Sequence, residues 1–386
     1  YSPVGPSDNC PSIPESALLS FADKMDSLVG FLSMGLKPSG SKDPFGIRRA
    51  CLGIIRIIVE KKIRLSLKTV IEDSIKSYGS QKFTLKYKNS LNITILRNNV
   101  TIRSISNNPA RVVLSGSGMK KKSPVEVIFD ISASNVTLSG ITLRNVSHHL
   151  IQVRAEKGVD FFSLNNCILE DSYQQLLKVS GKDNGEYSDF GVIKNSRFEY
   201  TAGVAPNYYV GGIDAHRSRG WVVSNNIFLN IASPAEKVAE HAIHFWKHSF
   251  NNTVTNNIII NSDRGIGFGL GNNKNQSKGG IIAFNKITHD NPNHAFADVG
   301  ISLESSPHTI VTNNEIYLNS NYPNAIEYRF PNTQGVIIKS NITNKSIVAR
   351  DGANGIILAN KRAGIFEYYW NSVLFYFNQA IRFINN

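Results

Sequence analysis

The sequence predicts an all-β protein: a right-handed parallel β-helix, a single-stranded solenoid, with an N-terminal helical cap. Three observations predict it. A seven-residue strand phrase recurs eight times: "HLIQVRA" at His149, "QLLKVSG" at Gln175, "GGIDAHR" at Gly211, "HAIHFWK" at His241, "RGIGFGL" at Arg264, "VGISLES" at Val299, "NAIEYRF" at Asn324 and "KSIVARD" at Lys345. Each copy follows a second apolar phrase, such as "WVVSNNIFL" or "NTVTNNIII", often carrying paired asparagines. Successive copies lie about 20 to 35 residues apart, the spacing of stacked repeats. No helical periodicity interrupts them between residues 96 and 350.

The elements follow in chain order. Residues 1–85 stand outside the repeat as an N-terminal extension. The opening "SPVGPSDNCPSIPES" reads as loop. No apolar run reaches membrane-spanning length; "LGIIRIIV" at residues 52–59 is short and holds Arg56. Residues 67–79, "LKTVIEDSIKSYG", are amphipathic and end on Gly79, as expected of a helix covering the open edge of a first coil. Residues 86–355 read as the β-helix, with short strands rich in Ile, Val and Phe that alternate apolar and polar. Propeller blades need about 40 residues or more, and leucine-rich repeats need a Leu-x-x-Leu-x-Leu frame; neither fits. Asparagines at the corners are expected to stack as ladders that satisfy the bends. Residues 356–386 leave the coil rhythm and read as an aromatic-rich tail or cap. Residues 1–65 and 366–386 are expected to add little to the central core.

Charge narrows the partners. The formal net charge is +13, which favours acidic ones. Much of it lies in "GIRRACLGIIRIIVEKKIRLSLK" and "MKKKS", away from the repeated strands, so no specific nucleic-acid partner is expected. Cys10, Cys51 and Cys167 are far apart and form neither a metal spacing nor a disulfide framework.

Side chains of a strand alternate between faces. The third position of the phrase is Ile151, Leu177, Ile213, Ile243, Ile266, Ile301, Ile326 and Ile347; the fifth runs from Val153 to Ala349 and is also apolar. Both therefore point inward. The fourth and sixth point out. The fourth reads Gln152, Lys178, Asp214, His244, Gly267, Ser302, Glu327, Val348; the sixth reads Arg154, Ser180, His216, Trp246, Gly269, Glu304, Arg329, Arg350. With coils about 4.8 Å apart, Lys178, Asp214 and His244 should line up, with His216 and Trp246 beside them. Gly267 and Gly269 are expected to leave a depression, floored by the small second position from Gly212 to Ser346. Histidine is concentrated here: His148, His149, His216, His241, His244 and His248 are six of the nine. A long groove with ionisable groups at one level suits a polymer.

The series "GGIDAH", "AEHAIHFW", "DRGIGFGLG", "VGISLES" and "YPNAIEYRF" resembles bacterial right-handed β-helix repeat proteins of the pectin-lyase-like superfamily, and the resemblance stops at both ends of the chain. A second resemblance is local. Mannuronan C5-epimerases carry Asp-Pro-His-Asp on a β-helix strand, with a lysine one coil before and a basic pair further on. Here Asp214 and His216 keep the Asp-x-His spacing, Lys178 falls one coil earlier and Arg264 two coils later. Ala215 stands where the proline would be, and Arg217 where the second Asp would be. The resemblance implies C5 proton abstraction from an acidic, uronic-acid polysaccharide, by a polysaccharide lyase or a C5-epimerase.

Such chemistry needs the substrate carboxylate neutralised, by Arg264 or Lys178. It needs a base, His216 or His244. Asp214 would orient an imidazole or accept from a sugar hydroxyl. Trp246 offers a face for sugar stacking, and Lys247, His241, Glu304, Glu327, Arg329 and Tyr209 complete the expected binding surface. On an exposed strand face, replacing these residues should barely change stability. No metal ligands are assigned; a calcium ion bridging an acid to a uronate stays open, without an Asp-rich loop to mark it. Two rivals remain. A glycoside hydrolase of the same fold would draw two carboxylates from Asp214, Asp263, Glu304 and Glu327. A non-catalytic polysaccharide-binding solenoid would need no tuned centre. The expected state is a monomer, secreted, periplasmic or at a bacterial cell surface.

Overall fold

The computed structural model describes residues 3, 8–33, 46–66, 70, 71, 74, 83–86, 92–274, 276–291 and 294–364. By internal contacts the chain divides into two units, Tyr1–Phe83 and Thr84–Asn386.

The first unit is helical. Helix α1 spans Pro14–Ser33 and helix α2 spans Ile47–Glu60. Pro14 takes the first helical position, where its fixed φ fits and its missing N–H costs nothing, and Glu15 favours the positive end of the helix dipole. The opening loop therefore ends earlier than its composition suggested. Ala17, Phe21, Met25 and Val29 recur every four residues, lie on one face and pack against Ile54 and Ile57 of α2. Gly53 lets the helices close, since a Cβ there would stand 2.6 Å from Lys24 Cε. The opposite sides expose Leu18, Leu19, Leu52, Ile55 and Val59. The helix expected over residues 67–79 lies mostly outside the described residues; 70, 71 and 74 are helical. Residues 366–386 also lie outside them.

The second unit is a right-handed parallel β-helix. Its strands form three long parallel sheets of 11, 10 and 10 strands, with a short fourth sheet of four. One 10-stranded sheet, called here the site sheet, carries the repeated phrase from His149–Arg154 to Ser346–Arg350. Its register pairs Ile151, Leu177, Ile213, Ile243, Ile266, Ile301, Ile326 and Ile347 in one row. The first seven of these are fully buried. Val153, Val179, Ala215, Phe245, Phe268, Leu303 and Tyr328 form a second buried row. The pattern loosens at the last strand, where Ala349 is exposed. Phe198 and Phe228 stack at 4.6 Å between coils of the 11-stranded sheet.

The corners explain the asparagines. Asn226, Asn257, Asn285, Asn314, Asn341 and Asn360 form a continuous ladder. In the first five, the backbone N–H and the Nδ2 both donate to Oδ1 of the asparagine one coil later, at 2.9 to 3.0 Å. Each Nδ2 also donates to a carbonyl one coil earlier, as Asn257 does to Val223. The residue just before each rung is left-handed: Asn225, Asn256, Phe284, Asn313, Ser340 and Ala359 have φ of 51° to 56°. Asparagine tolerates that region better than other residues with a side chain.

Two expectations about the site sheet fail. The small second position does not floor a groove. A Cβ on Gly212 would meet the Phe228 ring at 2.8 Å, and one on Gly300 would meet Ile316 at 2.6 Å. These residues face the core, and their size lets the chain turn into the strand. The outward fourth position is also not open surface: Lys178, Asp214, His244, Ser302 and Glu327 are all buried.

Candidate functional site

Three adjacent strands, Leu177–Ser180, Ile213–His216 and Ile243–Trp246, place Lys178, Asp214 and His244 opposite one another. The Lys178 ammonium forms an ion pair with Asp214 Oδ2 and lies 3.0 Å from His216 Nε2. Trp246 Nε1 donates to Asp214 Oδ1 at 2.6 Å. The carboxylate is therefore clamped from both sides. Burial pushes Asp214 up, but Lys178, His216 and His244 together outweigh it and bring its carboxyl down to about 2. His216 moves from 6.5 to about 3, through burial first and the Lys178 charge second. Of this group, His216 and Trp246 retain partial exposure.

His244 is fully buried. Its Nδ1 faces Glu240 Oε2 and its Nε2 faces the Gly269 carbonyl, both at 2.9 Å. Both neighbours are acceptors, so satisfying both contacts takes a hydrogen on each ring nitrogen or a proton on Glu240. No lone pair is free for a base. Trp246 stacks on its ring, with centroids 5.5 Å apart and 11° between planes. The His241 ring lies 4.4 Å from that of His244, and its Nε2 shares a hydrogen bond with Ser302 Oγ at 2.7 Å.

The two glycines have a different purpose from the one expected. A Cβ on Gly267 would stand 2.6 Å from the His241 ring, so the missing side chain makes room for that imidazole and leaves no depression. Gly269 has φ +79°, and a Cβ there would strike the Glu304 carbonyl. It is required by the turn that ends the strand.

Arg264 falls outside the Lys178 group. It is buried, 3.4 Å from Asp298 and 3.9 Å from Glu304. Glu304 accepts from the Gly271 N–H at 2.6 Å and from Arg329 at 3.4 Å. Arg329 also holds Asp351 at 2.7 Å. Glu327 pairs with Arg350 at 3.0 Å and accepts from Tyr322 and Asn324. Burial raises Asp298, with Arg264 opposing and Glu327 and Glu304 adding to the rise. This is a second polar centre of four carboxylates and three guanidiniums. Lys247 pairs with Asp183 at 3.0 Å. Tyr209 stands exposed, its N–H held by Asn207.

Sequence reasoning missed Glu240 and Asp298. Both occupy the position immediately before the repeated phrase, as does Asp263. Shifting the alignment by one column would have shown three acids in successive coils. Two sets of donors lie close enough to share a metal ion: Glu240, His241 and His244, and Asp263, His289 and His294. In the first set both nitrogens of His244 are already engaged.

Comparison with known proteins sets the N-terminal part of the chain apart from the rest. The family described as glycyl-tRNA synthetase beta subunit matches residues 1–109. The glycine–tRNA ligase beta subunits of Yersinia pestis and Yersinia pseudotuberculosis are 48% identical to this chain over 81 residues, 21% of the chain. That shared segment spans 12% of each relative. The family match runs past Phe83 into strands Ile93–Ile95 and Val100–Arg103 of the second unit. Among solved structures, a mutant DFA-IIIase from Arthrobacter chlorophenolicus in complex with DFA-III is similar over 79% of this chain and 84% of its own. It has 11% identity and a TM-score of 0.32. A likeness that low carries no inference.

Proposed function

We propose that the β-helix acts on an acidic, uronic-acid polysaccharide by abstracting the C5 proton, as a lyase or a C5-epimerase. The contact between Lys178 Nζ and His216 Nε2 carries this reading. Burial first and this neighbouring charge second keep a partly exposed imidazole neutral, and so in its proton-accepting form, across the neutral pH range. A uronate carboxylate arriving at Lys178 draws the ammonium toward itself and releases the Nε2 lone pair toward C5–H. The C5 proton passes to His216. In elimination the electron pair forms the C4–C5 double bond, the C4–O bond breaks, and the leaving oxygen takes a proton from the Lys178 ammonium or water. In epimerisation a proton returns to the opposite face of C5. Asp214 remains ionised and positions both Lys178 and the Trp246 ring. His244 is a positioning residue here, packed beneath Trp246.

The test is incubation with alginate, pectate and glycosaminoglycans, reading unsaturated ends by ultraviolet absorbance and C5 inversion by proton NMR. One polymer should respond, and His216→Ala should lower that rate by about two to four orders of magnitude. No response from any uronate polymer, or full activity in His216→Ala, overturns the reading.

A second reading rests on Asp298. A carboxyl raised by burial beside Glu304 and Glu327 has the makings of an acid paired with a carboxylate, as a glycoside hydrolase requires. New reducing ends without unsaturation, lost in Asp298→Asn, would favour it.

A further inference from the structure

Asp263, His289 and His294 lie apart in sequence and come together at one corner of the β-helix. Asp263 sits just ahead of strand Ile266–Phe268. His289 ends strand Lys286–His289, and His294 follows five residues later. All three side chains are almost completely buried. His289 Nε2 lies 2.9 Å from His294 Nδ1, and His294 Nδ1 lies 3.5 Å from Asp263 Oδ1.

We propose that these three residues bind a divalent transition-metal ion, with zinc the best match. Zinc takes imidazole nitrogens and carboxylate oxygens at about 2.0–2.2 Å, so tetrahedral ligand atoms stand roughly 3.3–3.5 Å apart. The two measured separations bracket that edge. Two imidazoles with one carboxylate suit zinc and its neighbours, and are too nitrogen-rich for calcium or magnesium. The Asp263 carboxylate is already oriented to serve as a ligand. Its Oδ2 accepts the Ser233 N–H at 2.6 Å, while its Oδ1 is buried without a hydrogen bond. An orphaned buried carboxylate oxygen aimed at two ring nitrogens calls for a cation. The spacing His-x4-His also falls in the range of zinc-ligand pairs. A water or hydroxide completes the fourth position.

The ion would tie the segment after His289 to the corner at Asp263. That segment leads to Asp298, whose N–H donates to the Asp263 carbonyl at 2.7 Å and whose carboxylate faces Arg264. The site is thus a clasp beside the second polar centre, and it stands independently of the polysaccharide reading.

The test is metal content and spectroscopy on the full chain. Stripped protein dialysed against zinc should retain one equivalent by elemental analysis. Cobalt should give the intense visible bands of a tetrahedral site. His289→Ala and His294→Ala should each lower retained zinc to under about a tenth of an equivalent, with unchanged far-ultraviolet circular dichroism. If a variant misfolds, His289→Gln serves instead. His241→Ala should retain the full equivalent, because the other donor set is not the site. Zinc should raise the thermal midpoint of the wild type and leave that of the His294 variant unchanged. Failure of the wild type to retain zinc, or retention by the His289 and His294 variants equal to that of the wild type, overturns the proposal and leaves a buried His–His–Asp cluster with no metal.

Discussion

Lys178 shows how a side chain can point outward and still be buried. It belongs to the outward column, yet it is buried against Asp214 and His216, with Trp246 holding the far oxygen of Asp214. Replacing it is therefore a core substitution, contrary to the expectation from an exposed face. Lys178→Met leaves the Asp214 charge buried and unpaired, and should cost about 3–5 kcal/mol in denaturant unfolding. Lys178→Met with Asp214→Leu should recover most of that loss. A cost within about 0.5 kcal/mol for the single variant would place the pair in solvent. Alternation alone was enough to read which columns face out. It could not show burial, because that depends on which groups the fold brings against each side chain, as Glu240 against His244 and Asp298 against Arg264. For the same reason His244 looked like a base until both its nitrogens were accounted for.

Among the elements, the asparagine corner separates two chemically similar neighbours. Asn257 is buried, and its Oδ1 accepts from both the N–H and the Nδ2 of Asn226. Asn257→Ala strands several buried donors and acceptors and should cost at least about 2 kcal/mol. Asn256 is exposed, with φ 55°. Asn256→Gly should change stability little, whereas Asn256→Val should cost about 1–2 kcal/mol through the left-handed backbone. Equal effects at the two positions, measured by thermal unfolding, would contradict this division of labour. The strands and ladders were readable because their period repeats through the chain. The two N-terminal helices were not: Leu18, Leu19, Leu52, Ile55 and Val59 are exposed opposite the buried stripe and blur its periodicity.

At the scale of the whole molecule, buried histidines set the response to acid. Burial brings His149 and His216 down to about 3, with Lys178 adding to both, and brings His241 well below 6.5, with Arg264 and His244 adding. A lowered histidine binds its proton in the unfolded chain before the folded one, so its contribution is complete above about 6.5 and is lost as pH falls. Each should remove up to about 1.4 kcal/mol per pH unit below that point. Asp214, held down to about 2, adds its own loss only below its ordinary 3.8. Asp263 and Asp298, raised by burial, act in the opposite sense. The thermal midpoint should therefore fall between pH 7 and 5, and a flat profile would show that these imidazoles reach water. The asparagine ladder has a bearing on synthesis as well. Every rung before Asn360 is completed by the coil that follows it in sequence. Asn226 waits for Asn257, Asn257 for Asn285, and Asn341 for Asn360. A chain emerging from the ribosome therefore always ends in an unfinished corner, and each new turn supplies the acceptors its predecessor lacks. Growth is favoured in the direction of translation, and a product halted just before Asn360 exposes an amide that invites a stray strand.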